Sequence, residues 1–101
     1  MKKLGEILQG IDYRCSAAPD DICVAGICFD SRMLAGNDLF VAVKGNITDG
    51  HQYIDQAIGL GARAIVCEKL PENADPGVCW IRVDDSAHAL ALCASNFYGR
   101  P

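Results

Sequence analysis

The 101-residue sequence has no long apolar run, few histidines and no closely spaced cysteine pair, and each absence removes a class of protein. No apolar stretch approaches the about 20 residues of a membrane-spanning helix, so we expect no membrane segment. Residues 1–10 are too short and polar for a secretory signal, which favours a cytoplasmic protein. His51 and His88 have no histidine or cysteine at helical spacing, so we expect no metal site.

The cysteines leave two explanations open. Six are present, which in a small secreted protein would suggest disulfides. No CxxC motif occurs, however, Cys28, Cys67 and Cys79 lie inside apolar runs, and Cys93 lies on a predicted helix. We therefore expect mostly buried free thiols that act as small core residues, with disulfides or a metal site as the alternative.

Basic residues are too few for a protein that binds nucleic acid or anionic membranes in general. The net charge is -4 and the pI about 4.9, whereas those partners select basic surfaces. An anionic ligand would have to be held by local groups. The length and the hydrophobic half of the composition predict one folded domain over residues 1–101, with no indication of oligomeric state.

Short β-rich runs alternate with helical spacings of apolar residues, which predicts an α/β fold. We expect a small mixed sheet of about four strands with flanking helices. The predicted strands are residues 22–29, 39–43, 64–67 and 78–83, the first two neighbours in the sheet, and the predicted helices are residues 4–10, 53–61 and 86–98. Residues 13–21 are predicted as loop. On the last helix, the spacing predicts one common face for Ala87, Leu90, Ala91, Ala94, Phe97 and Tyr98.

The tripeptide Asp30, Ser31 and Arg32 follows the first predicted strand, where α/β sheets often carry binding groups. Ser31 can donate to a ligand oxygen or accept from a base N–H, and Arg32 offers two parallel donors to an anion. A turn with a surface ion pair is the plain alternative.

Residues 45–52 follow the second strand and have the Gly-x4-Gly spacing of a phosphate-binding loop. His51 and Gln52 stand where that motif has lysine and serine or threonine, so triphosphate hydrolysis is not supported. Main-chain N–H groups, assisted by Lys44, could still hold a phosphate. Ordinary helix entry is the alternative.

No complete catalytic motif is present, so we expect no catalytic residue in this chain. Asp84 and Asp85 could form a carboxylate pair, but their position before a helix indicates caps.

Several segments together resemble the N-terminal domain of the Mur ligases, a family of cell-wall enzymes, over nearly the whole chain. Within the family the likeness is greatest to the ligases that add the third residue of the peptidoglycan stem peptide. The residues that carry it are Phe29-Asp30-Ser31-Arg32, Gly36-Asn37-Asp38-Leu39-Phe40-Val41-Ala42, Gly45, Asp49-Gly50-His51, Ile54, Ala57 and Gly61-Ala62-Arg63-Ala64-Ile65-Val66.

The resemblance implies a domain that holds the UDP part of UDP-N-acetylmuramoyl-L-alanyl-D-glutamate. The residue before the family's DSR motif and its serine contact the uridine part, which carries over to Phe29 and Ser31. Residues after the loop glycine also contact the nucleotide, which carries over to Asn46, Ile47 and Thr48. The family often has histidine where Asn46 stands, and leucine or threonine where Phe29 stands.

For the parent enzyme, the resemblance implies an ATP- and Mg²⁺-dependent ligase. ATP phosphorylates the D-glutamate carboxylate, and the amine of meso-diaminopimelate or L-lysine then attacks the acyl phosphate. The ATP-binding and C-terminal domains are absent from this chain, so we expect the fragment to bind no cofactor and to catalyse nothing alone. Three alternatives stay open: the sister ligase that adds D-alanyl-D-alanine, a freestanding nucleotide-sugar-binding module, and a protein-interaction domain with no small ligand.

Overall fold

The computed structural model describes residues 2–15, 22–30, 34, 36–44, 50–72, 74 and 77–99. Its elements in chain order are β1 (Lys2–Lys3), α1 (Leu4–Ile7), β2 (Arg14–Cys15), β3 (Cys23–Val24), β4 (Ile27–Cys28), β5 (Leu39–Val41), a 3-10 helix (Gly50–Tyr53), α2 (Ile54–Gly59), β6 (Ala64–Cys67), β7 (Cys79–Arg82) and α3 (Ser86–Tyr98). No helix in these ranges is long and apolar enough to cross a membrane.

The main sheet contains five strands in the order β2-β7-β6-β5-β4. Strands β4, β5, β6 and β7 run parallel to one another, and the edge strand β2 is antiparallel to β7. The predicted mixed sheet with flanking helices is confirmed, as is the pairing of the first two predicted strands. The sheet has one strand more than predicted because Arg14–Cys15, in the predicted loop, pairs with β7. Two residues are too few to show alternation.

The predicted first strand is two strands that belong to different sheets. Cys23–Val24 pairs with Lys2–Lys3 in a separate two-stranded sheet, whereas Ile27–Cys28 pairs with β5. Gly26 lies at the break, and a Cβ there would stand 3.2 Å from Oδ1 of the buried Asp38. Single-strand periodicity cannot reveal this change of partner.

Strand residues alternate between two apolar layers. Leu39, Val41, Ala64, Val66, Cys79 and Ile81 face one layer, with residues of α1 and α3. Phe40, Ile65, Cys67 and Trp80 face the other, with Ile54 and Ala57 of α2. Both faces of the sheet are therefore covered by helix, which explains why its strands are continuous apolar runs.

The predicted face of α3 is only partly correct: Leu90 and Phe97 pack against the core, but the most buried positions of the helix were not among the predicted ones. The fully buried positions are Ser86, Ala89 and Cys93, whereas Ala91 is exposed and Tyr98 is 71% exposed. The helix carries many small residues, so its hydropathy pattern hardly distinguishes one face from another. Burial is set by packing against α1 and the sheet.

A polar bond also fixes α3 against α1. The Nδ2 group of Asn96 donates to the carbonyl oxygens of Ile7 and Gln9, each at 2.8 Å. These carbonyls lie at the carboxyl end of α1, where helix carbonyls lack partners. The bond therefore closes one helix end and sets the rotation of the other helix.

All six cysteines are free thiols, as expected. Cys28, Cys67, Cys79 and Cys93 are buried, and the Sγ atoms of Cys15 and Cys79 lie 3.1 Å apart across the β2–β7 pair. Burial raises the pKa of Cys67 to about 11 and that of Cys93 to about 12. Thiolates are therefore disfavoured in the core.

Two turns meet at the amino edge of the sheet. Gly61 has φ +101°, and a Cβ there would stand 3.1 Å from Cα of Gly36, which has φ +92°. The N–H of Asn37 donates to the carbonyl of Gly61 at 2.9 Å. This close backbone approach leads the chain into β5 and β6 together.

We expect Gly61→Ala to destabilise the fold more than Gly10→Ala. Gly10 has a similar φ of +82° but open space around a Cβ, so it isolates the backbone strain of about 1–2 kcal/mol. Gly61→Ala adds the contact with Gly36. Urea unfolding of both variants measures the difference, and equal losses would contradict the steric contribution.

Stability should fall as the pH rises above about 9, because the unfolded chain then releases thiol protons that the fold retains. The folded pKa values of Cys67 and Cys93 are raised, so the loss extends until about pH 11 to 12. We determine the free energy of unfolding from urea titrations at several pH values. In the Cys67→Ala, Cys93→Ala double variant, this free energy should fall less steeply with rising pH than in the native chain. Identical slopes would refute the assignment.

Candidate functional site

The carboxyl ends of four parallel strands form one edge of the main sheet. Cys28 pairs with Phe40 and Val41 pairs with Val66, so the residues after β4, β5 and β6 emerge side by side. Open α/β sheets usually bind ligands outside this edge. The polar or exposed residues found there are Phe29, Asp30, Lys44, Glu68, Lys69, Asp84 and Asp85.

Phe29 presents an aromatic ring to solvent at this edge. The side chain is 65% exposed, although it directly follows the buried Cys28. The thiol of Cys28 donates to the carbonyl of Asp30 at 2.7 Å, which ties the bend around Phe29 to the strand end. An exposed aromatic ring on an anchored bend can stack on a planar ligand group.

A cavity of about 510 Å³ lies beside the ends of β5 and β6. Its described lining combines an apolar wall with charges of both signs: Lys44, Ile54, Asp55, Glu68, Lys69, Leu70, Pro71 and Glu72. The volume is in the range of small-molecule sites. The lining holds two lysines against three carboxylates, so an anion bound there would have to contact Lys44 or Lys69 directly.

Three strand ends are joined by a buried hydrogen-bond network. Ser86, which is 0% exposed, donates its hydroxyl to Oε2 of Glu68 at 2.6 Å and accepts from the N–H of Lys44 at 2.9 Å. The N–H of Ser86 donates to the same Oε2 at 2.9 Å. The network therefore connects the chain after β5, the chain after β6 and the start of α3.

The acidic pair before α3 contributes to the helix start rather than to chemistry. Oδ1 of Asp85 accepts from the N–H of His88 at 3.0 Å, so Asp85 is the N-cap that the sequence indicates. Within the described part of the chain, no three His, Cys, Asp or Glu side chains are grouped closely enough to hold a metal ion.

The predicted site residues are placed only in part. Phe29 lies at the carboxyl edge. Ser31, Asn46, Ile47 and Thr48 lie outside the described residues. They directly follow the segments after β4 and β5, which are neighbouring strands.

Sequence reasoning missed Ser86 and Glu68. Glu68 directly follows β6, so its place at a carboxyl strand end was readable once the sheet was assumed. Ser86 follows two aspartates and was read only as part of a helix start. Its bonds join residues 18 and 42 positions away, which no local pattern could indicate.

Comparison with known proteins gives consistent matches. Residues 24–98 match the family model described as "Mur ligase family, catalytic domain". The chain is similar to the UDP-N-acetylmuramoyl-L-alanyl-D-glutamate--2,6-diaminopimelate ligases of Phocaeicola vulgatus, at 42% identity, and of Bacteroides fragilis, at 43%, each over 98% of this chain. It spans about a fifth of their length, 20% of each.

Solved structures show the same fold. Crystal structure II of MurF from Acinetobacter baumannii aligns with 93% of this chain and 20% of its own, at a TM-score of 0.74 and 23% identity. The MurF ligase of Thermotoga maritima in complex with ADP aligns with 67% of this chain and 15% of its own, at a TM-score of 0.57 and 38% identity.

Proposed function

This chain belongs to the Mur ligase family, and on that premise we propose that it is the N-terminal, UDP-substrate-binding domain of a peptidoglycan ligase. The parent enzyme would add the third amino acid to UDP-N-acetylmuramoyl-L-alanyl-D-glutamate. Relatives at 42% and 43% identity over 98% of the chain carry the name of the 2,6-diaminopimelate-adding ligase, which supports that amino acid over L-lysine.

The observation that carries the proposal is the carboxyl edge beside β4 and β5. An exposed Phe29 follows the first of these strands, and Lys44 lies beside the cavity after the second. In the proposed complex, Phe29 and Ser31 contact the uridine part. Asn46, Ile47 and Thr48 contact the nucleotide through main-chain groups, and Lys44 contributes charge toward the diphosphate.

ATP and Mg²⁺, which the family implies, do not fit the residues of this chain. His51 and Gln52 stand where a triphosphate loop has lysine and a magnesium-binding hydroxyl. The matching family model is named for a catalytic domain, but residues 1–101 contain no complete catalytic motif. We therefore assign substrate binding to this chain and place ATP, Mg²⁺ and amide formation in other parts of the parent enzyme.

The third-residue ligase is preferred over the D-alanyl-D-alanine-adding ligase. The diaminopimelate-adding relatives are 42% and 43% identical over 98% of this chain, whereas the MurF structures are 23% identical over 93% of it and 38% identical over only 67%. A UDP-linked substrate and free thiols both fit the reducing cytoplasm, which we propose as the location.

Titration of the chain with UDP-N-acetylmuramoyl-L-alanyl-D-glutamate, followed by NMR, tests the site. We expect weak binding with shifts concentrated at residues 29–32 and 44–48, because these segments follow neighbouring strands. UDP alone should move the same amides, whereas ATP with Mg²⁺ should move few of them. Shifts confined to the amino edge of the sheet, around Gly36 and Gly61, would refute the site.

Phe29→Ala should weaken binding of the same UDP substrate by about 5-fold to 100-fold, the range for loss of one base-stacking ring. Phe29→Leu should lose less, because leucine keeps an apolar surface there. Tyr98→Ala is the matched control, since Tyr98 is a similarly exposed aromatic residue at 71%, at the far end of α3. Calorimetric titration measures all three, and equal affinities for Phe29→Ala and Tyr98→Ala would exclude the ring from the site.

A further inference from the structure

Ser86 is a fully buried residue whose hydroxyl bonds to the main chain of Lys44, which shortly precedes the proposed nucleotide-contacting residues 46–48. It is the first residue of α3 and is 0% exposed. A buried hydroxyl requires partners, and this one donates to Oε2 of Glu68 and accepts from the N–H of Lys44. Helix capping alone does not require the bond to Lys44, because Asp85 is already the N-cap.

The bond to Lys44 acts where the chain leaves the sheet. The N–H of Ala42 still donates to Val66 of β6 at 2.8 Å, whereas the N–H of Lys44 donates to Ser86 at 2.9 Å. Lys44 immediately precedes the segment 45–48 that contains three of the proposed UDP-contacting residues. The position of this amide therefore sets where the segment begins.

Glu68 strengthens the hydrogen bond between the Lys44 N–H and the Ser86 hydroxyl, because Glu68 itself accepts from that hydroxyl. Its Oε2 accepts from both the hydroxyl and the N–H of Ser86, at 2.6 and 2.9 Å. A hydroxyl that donates to a carboxylate becomes a better acceptor, because successive hydrogen bonds polarise one another. Glu68 is itself held by Arg82, whose Nε donates to the Glu68 carbonyl at 3.4 Å.

We propose that Ser86, polarised by Glu68, is a positioning residue for the UDP substrate: it fixes the backbone at Lys44 and thereby the start of the loop that contacts the nucleotide. This inference rests on the proposed function. Neither side chain needs to touch the uridine. Binding sites depend on such supporting bonds, because a misplaced loop weakens every contact that it makes.

Two substitutions at Ser86 separate the effect of the hydroxyl from the effect of side-chain volume, because threonine and valine have nearly the same shape. Ser86→Thr keeps the hydroxyl oxygen and adds a methyl group, whereas Ser86→Val has the shape of threonine without the oxygen. Ser95→Val controls for a β-branched residue in α3, because Ser95 lies nine positions further along the same helix. Thermal unfolding of each variant is measured first.

We expect Ser86→Val to bind the UDP substrate about fivefold more weakly than Ser86→Thr, because it loses both bonds of the hydroxyl, to Glu68 and from Lys44, and no longer fixes the Lys44 backbone. Hydrogen exchange at the Lys44 amide should be faster in Ser86→Val only. Ser86→Thr should remain close to the native chain, and Ser95→Val should leave affinity unchanged. If Ser86→Val does not fold, Glu68→Gln tests the proposal instead. We expect Glu68→Gln to lose less affinity for the UDP substrate than predicted for Ser86→Val, and to show similarly faster hydrogen exchange at the Lys44 amide.

The outcomes separate the two proposals. A native chain that is folded but does not bind the UDP substrate would refute the proposed function, and this inference with it. A native chain that binds, with equal affinities for Ser86→Thr and Ser86→Val, would refute the positioning role alone. Should Ser86→Val fail to fold, unchanged affinity in Glu68→Gln would refute that role.

Discussion

The parallel pairing of β5 with β4 on one side and β6 on the other is the constraint on which the remaining structure depends. It places β5 inside the sheet, between the layer of α1 and α3 and the layer of α2, and brings successive strand ends to one edge. Phe29, Lys44 and Glu68 therefore follow adjacent strands at the same end of the sheet, although they are well separated along the chain. Without this register, the exposed ring, the cavity and the buried network would not share an edge.

The edge combines weak local attractions in a chain of opposite charge. The net charge of -4 disfavours anions at long range, so Lys44, Lys69 and main-chain amides must act at short range. Such a site selects an anionic ligand by the positions of its contacting groups more than by the strength of its electrostatic field. The buried Ser86 network is consistent with that requirement, because it fixes backbone rather than adding charge.

Much of the fold could be predicted from sequence because its central strands are fully buried. The strand predicted over residues 64–67 is confirmed with those bounds, and the strand predicted over residues 39–43 is present over Leu39–Val41. The sequence-based predictions failed where the strand is very short or where neighbouring residues differ little in hydropathy. The cases are the two-residue β2, the break at Gly26, and the alanine-rich α3. In each case the decisive interaction is with a residue distant in sequence.

The candidate site was predictable to the extent that motifs carry it. Phe29 is a site residue only because the family resemblance implies it, and that role stays a prediction; the structure shows that its side chain is exposed at the carboxyl ends of the strands. The network of Ser86 and Glu68 was not, because a buried serine becomes informative only when its partners are known.

The two edge strands of the main sheet, β2 and β4, are each only two residues long. An incoming strand from another molecule would find few unpaired main-chain groups in register along either edge. Short borders of this kind discourage the growth of intermolecular sheets. Within the described residues, the brevity that concealed β2 from sequence analysis thus also limits edge-to-edge pairing between copies of the chain.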